Sequence, residues 1–392
     1  MANLFDYLEW RGDITFEMSP VNEVDCLLFA WISYVNFEGI VPHEFAAPVT
    51  FKEASDMFNE KYDLDRILSE SLSFTRTSGL ALKKAAETER FSGMKMLGYR
   101  NEIDYDNESQ FSAVTFQIDP KNAVVVFRGT DDTIVGWKED FNMCFMPEVP
   151  AQKKALEYLT EAAAKVRGKL YICGHSKGGN LAVFSGAFAQ KKIRDRVIAI
   201  YNFDGPGFGD GTVLGENEKE MLKKCKSFTP TESVVGMLLN HSEDYTVIRS
   251  TQKNIMQHDC ASWMIVRNGF VTVDEVERKS KVFDETMKNW LRQMSPEERE
   301  SFIDALFRIL SANNAKTTID ISSDVFKSVT GMIKEYNNLS KEARNMLRRF
   351  TAVFIKEGGE TILKTRKGKT PELTAKASEE VSENGVEQEE KK

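Results

Sequence analysis

Gly174-His175-Ser176-Lys177-Gly178 sets a serine between two glycines. A serine hydroxyl is a weak nucleophile until a neighbouring base takes its proton. The spacing carries chemistry when it falls at a sharp strand-to-helix turn, which lifts the hydroxyl clear of the backbone. Here Leu170 to Cys173 reads as a buried strand, and Gly179 to Gln190 reads as a helix. Side chains at the flanking positions would clash in so tight a turn. The helix N-terminus would put partial positive charge under a developing oxyanion. The expected chemistry is acyl transfer through a covalent intermediate on Ser176. A phosphate-cradling turn is the plainer alternative, but a Walker A spacing is absent.

The serine needs a base, and the chain has four histidines. In α/β-hydrolases the chain order is nucleophile, acid, histidine. His43 precedes Ser176. His175 lies within the turn and cannot swing onto its neighbour. His241 and His258 remain, and His258 is favoured because it follows the last predicted strand. His241 reads as a surface histidine in a connecting loop. The acid should follow a strand and orient the imidazole. Glu232, after the strand 225–229, is the first choice, and Asp204, after the strand 197–203, is its rival. Asp204-Gly205-Pro206-Gly207 is also a strong turn signal in its own right. An oxyanion hole needs two donors. The backbone N–H of Lys177 supplies one. Thr130, in the loop Phe127-Arg128-Gly129-Thr130, supplies the other through its N–H and its hydroxyl.

These residues need a frame. Ala123 to Phe127 is a short β-branched run, as in a strand buried on both faces. Val197–Phe203, Cys225–Thr229 and Tyr245–Ile248 read the same way, with helices over 152–166, 179–190 and 217–224 between them. Such alternation predicts an α/β fold with a mainly parallel sheet covered on both faces. Phe111–Ile118 alternates as an edge or half-buried strand does. Residues 20–90 read as mostly helical. Beyond about 275 the strands stop. Ser295-Pro296-Glu297-Glu298 is a helix start, and a second helical stretch is expected over 323–355. The expected division is a catalytic domain over 1–274, a helical appendage over 275–365, and a disordered, Glu-rich tail over 366–392.

The net charge of −8 argues against a broad nucleic-acid surface. Five cysteines at 26, 144, 173, 225 and 260, with no C-x-x-C, suit buried free thiols in a reducing compartment. No basic, apolar leader and no spanning run of apolar residues is evident, so a cytoplasmic protein is the default expectation. His43-Glu44 does not continue to H-E-x-x-H, and the cysteines lack zinc spacing. No metal and no cofactor are expected.

Phe127-Arg128-Gly129-Thr130, Trp137-Lys138-Glu139-Asp140 and Gly174-His175-Ser176-Lys177-Gly178-Gly179 together resemble the class 3 lipase family. Trp10-Arg11-Gly12-Asp13, Asn22-Glu23-Val24-Asp25 and Gln257-His258-Asp259 with Ser262-Trp263 resemble a bacterial branch of it. The likeness spans roughly 1–270. It implies an α/β-hydrolase fold, Ser176 as nucleophile, His258 as base and Thr130 as an oxyanion residue. The family acid is an Asp at the place where Glu232 falls, a departure from the pattern. The segment Phe141 to Pro147 is a lid or acyl-chain wall by the same likeness, and plain core packing by its composition. The expected activity is hydrolysis of carboxylic esters, lipid or acylglycerol esters among them, on a small-molecule substrate. Acyl transfer or amide hydrolysis on the same triad is an alternative. So is a catalytically silent fold whose C-terminal helices bind a protein partner.

Overall fold

The computed structural model describes residues 2–70, 74–209, 211–317, 320, 325–349 and 351–352. The tail expected over 366–392 lies outside the described residues. Eleven strands are present among the described residues: β1 (Val49–Thr50), β2 (Lys95–Asp104), β3 (Ser109–Asp119), β4 (Asn122–Phe127), β5 (Lys169–His175), β6 (Val197–Phe203), β7 (Cys225–Pro230), β8 (Tyr245–Ile248), β9 (Ile265–Val266), β10 (Gly269–Phe270) and β11 (Thr272–Val273). Nine of them form one sheet, in the order β1-β2-β3-β4-β5-β6-β7-β8-β11. Strands β4 to β8 run parallel. Strands β1 to β4 pair antiparallel, and β11 pairs antiparallel with β8. The protein is therefore α/β, but its sheet is mixed where a mainly parallel one was expected.

Side-chain alternation along the strands builds a core on each face. Val124, Val126 and Cys173 pack with the Glu23–Ile32 helix. Ala123, Val125, Phe127 and Ile172 pack with the Pro150–Lys165 and Lys177–Phe188 helices. The Glu23–Ile32 helix starts at a capping box formed by Asn22 and Asp25. Two-sided burial explains why β4 and β5 carry nearly unbroken apolar runs. The stretch Phe111–Ile118, read as an edge or half-buried strand, is β3; it lies inside the sheet, between β2 and β4, and Ser109 to Phe116 are all buried. Strand β2 falls outside the expected set.

The chain after β11 forms the Arg278–Arg292, Pro296–Leu310 and Val325–Asn338 helices. Ser295 caps the second of these, with its side chain accepting from Glu298 N–H at 3.2 Å. Trp290, Phe302 and Phe307 form a separate apolar cluster with Ile134, Phe141 and Phe145. The C-terminal helices thus pack against the segment after β4. Ile134–Asn142 is itself a helix, so the expected lid or wall begins at a helix end.

Candidate active site

β5 ends at His175, and the Lys177–Phe188 helix begins two residues on. Ser176 alone joins them, at φ 59° and ψ −132°. A serine at positive φ is strained, and it persists only where its surroundings over-determine it. Its N–H donates to the Phe203 carbonyl at 2.9 Å, and its own carbonyl accepts from Gly179 N–H at 2.9 Å. Gly178 must be a glycine, because a Cβ there would stand 2.1 Å from the Phe127 oxygen.

His258 closes the 3₁₀ turn Asn254–His258. Its Nδ1 lies 2.6 Å from Asp204 Oδ2. Asp204 follows β6 directly, is 1% exposed, and takes a second hydrogen bond from Ser233 Oγ at 2.5 Å. A carboxylate only accepts, so His258 Nδ1 carries a proton and, in the neutral ring, Nε2 is an acceptor. The carboxylate that the structure places beside His258 is thus that of Asp204, the rival, and not that of Glu232, the first choice. Glu232 accepts the backbone N–H of Asn254 and stands 3.7 Å from Lys279 Nζ. The Asn254 N–H holds its carboxyl below the usual range. Glu232 braces the turn that carries His258. The other histidines are engaged elsewhere: His241 Nδ1 meets Glu243 at 3.2 Å, and His43 meets Glu38 on the surface.

His175 does not act on Ser176, but it is not idle. Its Nε2 lies 2.8 Å from the His258 carbonyl, which can only accept. Nε2 is therefore protonated, and Nδ1 accepts from the Tyr34 hydroxyl at 2.9 Å. Burial, reinforced by His258, pushes the His175 imidazole well below its ordinary pKa. The ring stays neutral and ties β5 to the turn that carries His258. Tyr34 follows a helix and carries no motif, so no sequence signal singled it out.

The loop after β4 comes alongside the nucleophile at Gly129. A Cβ there would lie 2.7 Å from the His175 oxygen and 3.0 Å from Ser176 Cβ. Only glycine lets Thr130 approach this closely. Thr130 Oγ1 donates to Asp140 Oδ2 at 2.6 Å. Burial pushes the Asp140 carboxyl up to about 6. The hydroxyl hydrogen is thus committed to Asp140 while that carboxyl is ionised. Lys177 follows the nucleophile, and its side chain is fully buried. Its Nζ donates to Gln110 O, Gln110 Oε1 and Glu139 Oε2 at 2.9, 2.9 and 3.0 Å.

With this geometry in place, a family model described as Mbeg1-like matches residues 85–308, more than half of the chain. The chain belongs to the Mbeg1-like family. No curated protein matches it. The match takes in the Thr130 loop, the Ser176 turn, Asp204 and His258, and it ends within the Pro296–Leu310 helix.

In this Mbeg1-like protein a cavity of about 750 Å³ opens over Ser176 and His258. That size is ordinary for a small-molecule site, roughly 300–1,000 Å³. Trp137, Phe141 and Leu238 line it, together with Phe283, Met287, Trp290, Leu291, Phe302 and Leu306 of the C-terminal helices. The walls are mainly apolar, with Asp131, Asp132 and Arg128 near Thr130. Among the described residues no group of His, Cys, Asp and Glu could hold a metal ion, and Cys26, Cys173, Cys225 and Cys260 are free thiols. No helix among the described residues is long and apolar enough to cross a membrane.

Proposed function

We propose that this protein is a serine hydrolase of the α/β-hydrolase type, lipase class 3-like, that cleaves carboxylic esters with an apolar acyl chain. His258 Nε2 takes the Ser176 proton as the hydroxyl oxygen attacks the ester carbonyl. Asp204 holds the imidazole in the right tautomer and stabilises the imidazolium. The N–H groups of Lys177 and Thr130 take up the charge on the carbonyl oxygen. The imidazolium then protonates the leaving alkoxide, and an acyl group remains on Ser176. Water attacks that ester with His258 as base, releasing the carboxylic acid and restoring the serine.

The observation that carries this reading is the Asp204–His258 hydrogen bond beside a strained Ser176, both facing one apolar cavity. Membership of the Mbeg1-like family supports a lipase-like hydrolase. The cavity walls favour an aliphatic acyl group over a charged one. On this reading residues 1–274 are the catalytic unit, and the helices of 275–365 complete its substrate wall. Initial-rate assays on p-nitrophenyl esters of graded acyl length test it. Wild type should hydrolyse them, and Ser176→Ala and His258→Ala should each lose the activity while staying folded. Equal rates in all three proteins would rule the mechanism out.

A further inference from the structure

We propose that Glu139 and Asp140, adjacent on the Ile134–Asn142 helix, are positioning residues that fix the two oxyanion donors at a set spacing. The proposal rests on the serine-hydrolase reading. Asp140 holds the Thr130 hydroxyl at 2.6 Å, and Glu139 holds the Lys177 ammonium at 3.0 Å. On that reading Thr130 and Lys177 supply the two backbone N–H donors to the oxyanion. They come from different loops, one after β4 and one after β5, which strand pairing and the close approach at Gly129 bring side by side. One helix grips both by neighbouring side chains.

The grip on Lys177 is rigid. Glu139 is fully buried and also accepts from Gln110 N–H at 2.9 Å and Ala151 N–H at 2.8 Å. All three ammonium hydrogens of Lys177 are used, two on Gln110 of β3 and one on Glu139. The first residue of the nucleophile helix is thereby tied to β3, to the Ile134–Asn142 helix and to the start of the Pro150–Lys165 helix. The Lys177 ammonium also stands 3.8 Å from Asp140 Oδ1, a buried oxygen without a hydrogen-bond partner. That positive charge draws Asp140 toward the same centre. A buried ion pair is weak evidence for stability, because desolvation offsets most of the attraction. A role in holding backbone donors gives this one a function.

The test uses the full chain and a double variant, Lys177→Met with Glu139→Gln. Removing both charges together avoids stranding either member of the buried pair, and leaves the half-buried Asp140 as the charge at this centre. The readouts are thermal unfolding, kcat and KM on one ester, and affinity for an alkylboronic acid, which forms a tetrahedral adduct on serine. Active sites are counted with a fluorophosphonate, so that a merely structural loss appears as fewer sites rather than weaker ones. Loss of one oxyanion donor costs about 10²–10³-fold, so a displaced one should cost about 10–100-fold in kcat per site. Boronate affinity should fall with it, and KM should stay within about twofold. Asp140→Asn, at the half-buried rim, loosens the other grip and should lower both kcat and boronate affinity at least several-fold. A folded double variant with wild-type kcat and boronate affinity overturns the proposal. If the double variant does not fold, Asp140→Asn decides, and wild-type boronate affinity there overturns it. A wild type that neither labels nor hydrolyses defeats the hydrolase reading and this proposal together. A labelled, active wild type with indifferent variants defeats this proposal alone.

Discussion

His258 Nδ1 and Asp204 Oδ2 stand 2.6 Å apart, although 54 residues separate them in the chain. Asp204 reaches the histidine from the end of β6, and the 3₁₀ turn Asn254–His258 brings the ring down to it. Ser233 holds the other carboxylate oxygen, so the pair has one geometry rather than several.

The first prediction follows from that pair. Asp204→Asn should lower kcat by about 10⁴-fold, the cost of an imidazole left in the wrong tautomer. Glu232→Gln should cost less than about tenfold, because Glu232 acts on the Asn254 backbone rather than on the ring. Steady-state kinetics of the two variants decide between the acids. The reverse ranking would restore Glu232.

His175 should stay neutral, as the Nε2–H tautomer, across the pH range in which the enzyme works. Its pKa is driven far down by burial, and a proton on Nδ1 would displace the hydrogen bond that the Tyr34 hydroxyl donates there. Long-range ¹H–¹⁵N spectra of the imidazoles from pH 5 to 8 should show constant His175 nitrogen shifts. A midpoint near 6.5 would contradict the assigned hydrogen bonds.

A pH-dependent stability follows from Asp140. Its folded pKa lies at about 6 against an ordinary 3.8, so the folded protein binds the extra proton more tightly than the unfolded chain. Its contribution to stability is complete below pH 3.8 and is lost as pH rises through about 6. Burial raises Asp259 to about 6 as well, so both groups act in this window. Asp140→Asn removes one of the two. Denaturant melts of that variant between pH 4 and 7 should fall less steeply with rising pH than those of wild type. Parallel slopes would show that Asp140 titrates normally.

The cavity wall predicts chain-length selection. Leu306 lines the cavity from the Pro296–Leu310 helix. Leu306→Trp should shift the preferred acyl chain to a shorter length and leave the rate on an acetyl ester within about threefold. An ester panel reads this directly. Both ends of the panel falling together would mean that the wall does not touch the acyl group.

Much of this was legible in the residues. Short, nearly continuous apolar runs mark β4, β6 and the interior of β5, as strands buried on both faces require. Gly-x-Ser-x-Gly marks the nucleophile because only glycine fits the turn. Strand β2 escaped because Lys95 to Asp104 lacks clean alternation, and its register shifts between Leu97 and Arg100 around Gly98 at φ 69°. Without β2, the antiparallel half of the sheet was hidden. Asp204 was outranked because Asp-Gly-Pro-Gly reads first as turn chemistry. It is a turn, and its φ is 52°, which is also what aims the carboxylate at His258. Glu139 and Lys177 look like surface charges in one dimension. Their pairing depends on a helix and a strand end meeting in the core, which no local pattern encodes.

The most direct measurement of the central claim is covalent labelling with a fluorophosphonate, followed by mass spectrometry of the peptides. The probe should add once per chain, on Ser176, and Ser176→Ala should remain unlabelled at the same concentration and time. Asp204→Asn should label far more slowly than wild type. Labelling of the Ser176→Ala protein at the wild-type rate, or no labelling of folded wild type, would contradict the assignment of Ser176 as a nucleophile activated by His258 and Asp204.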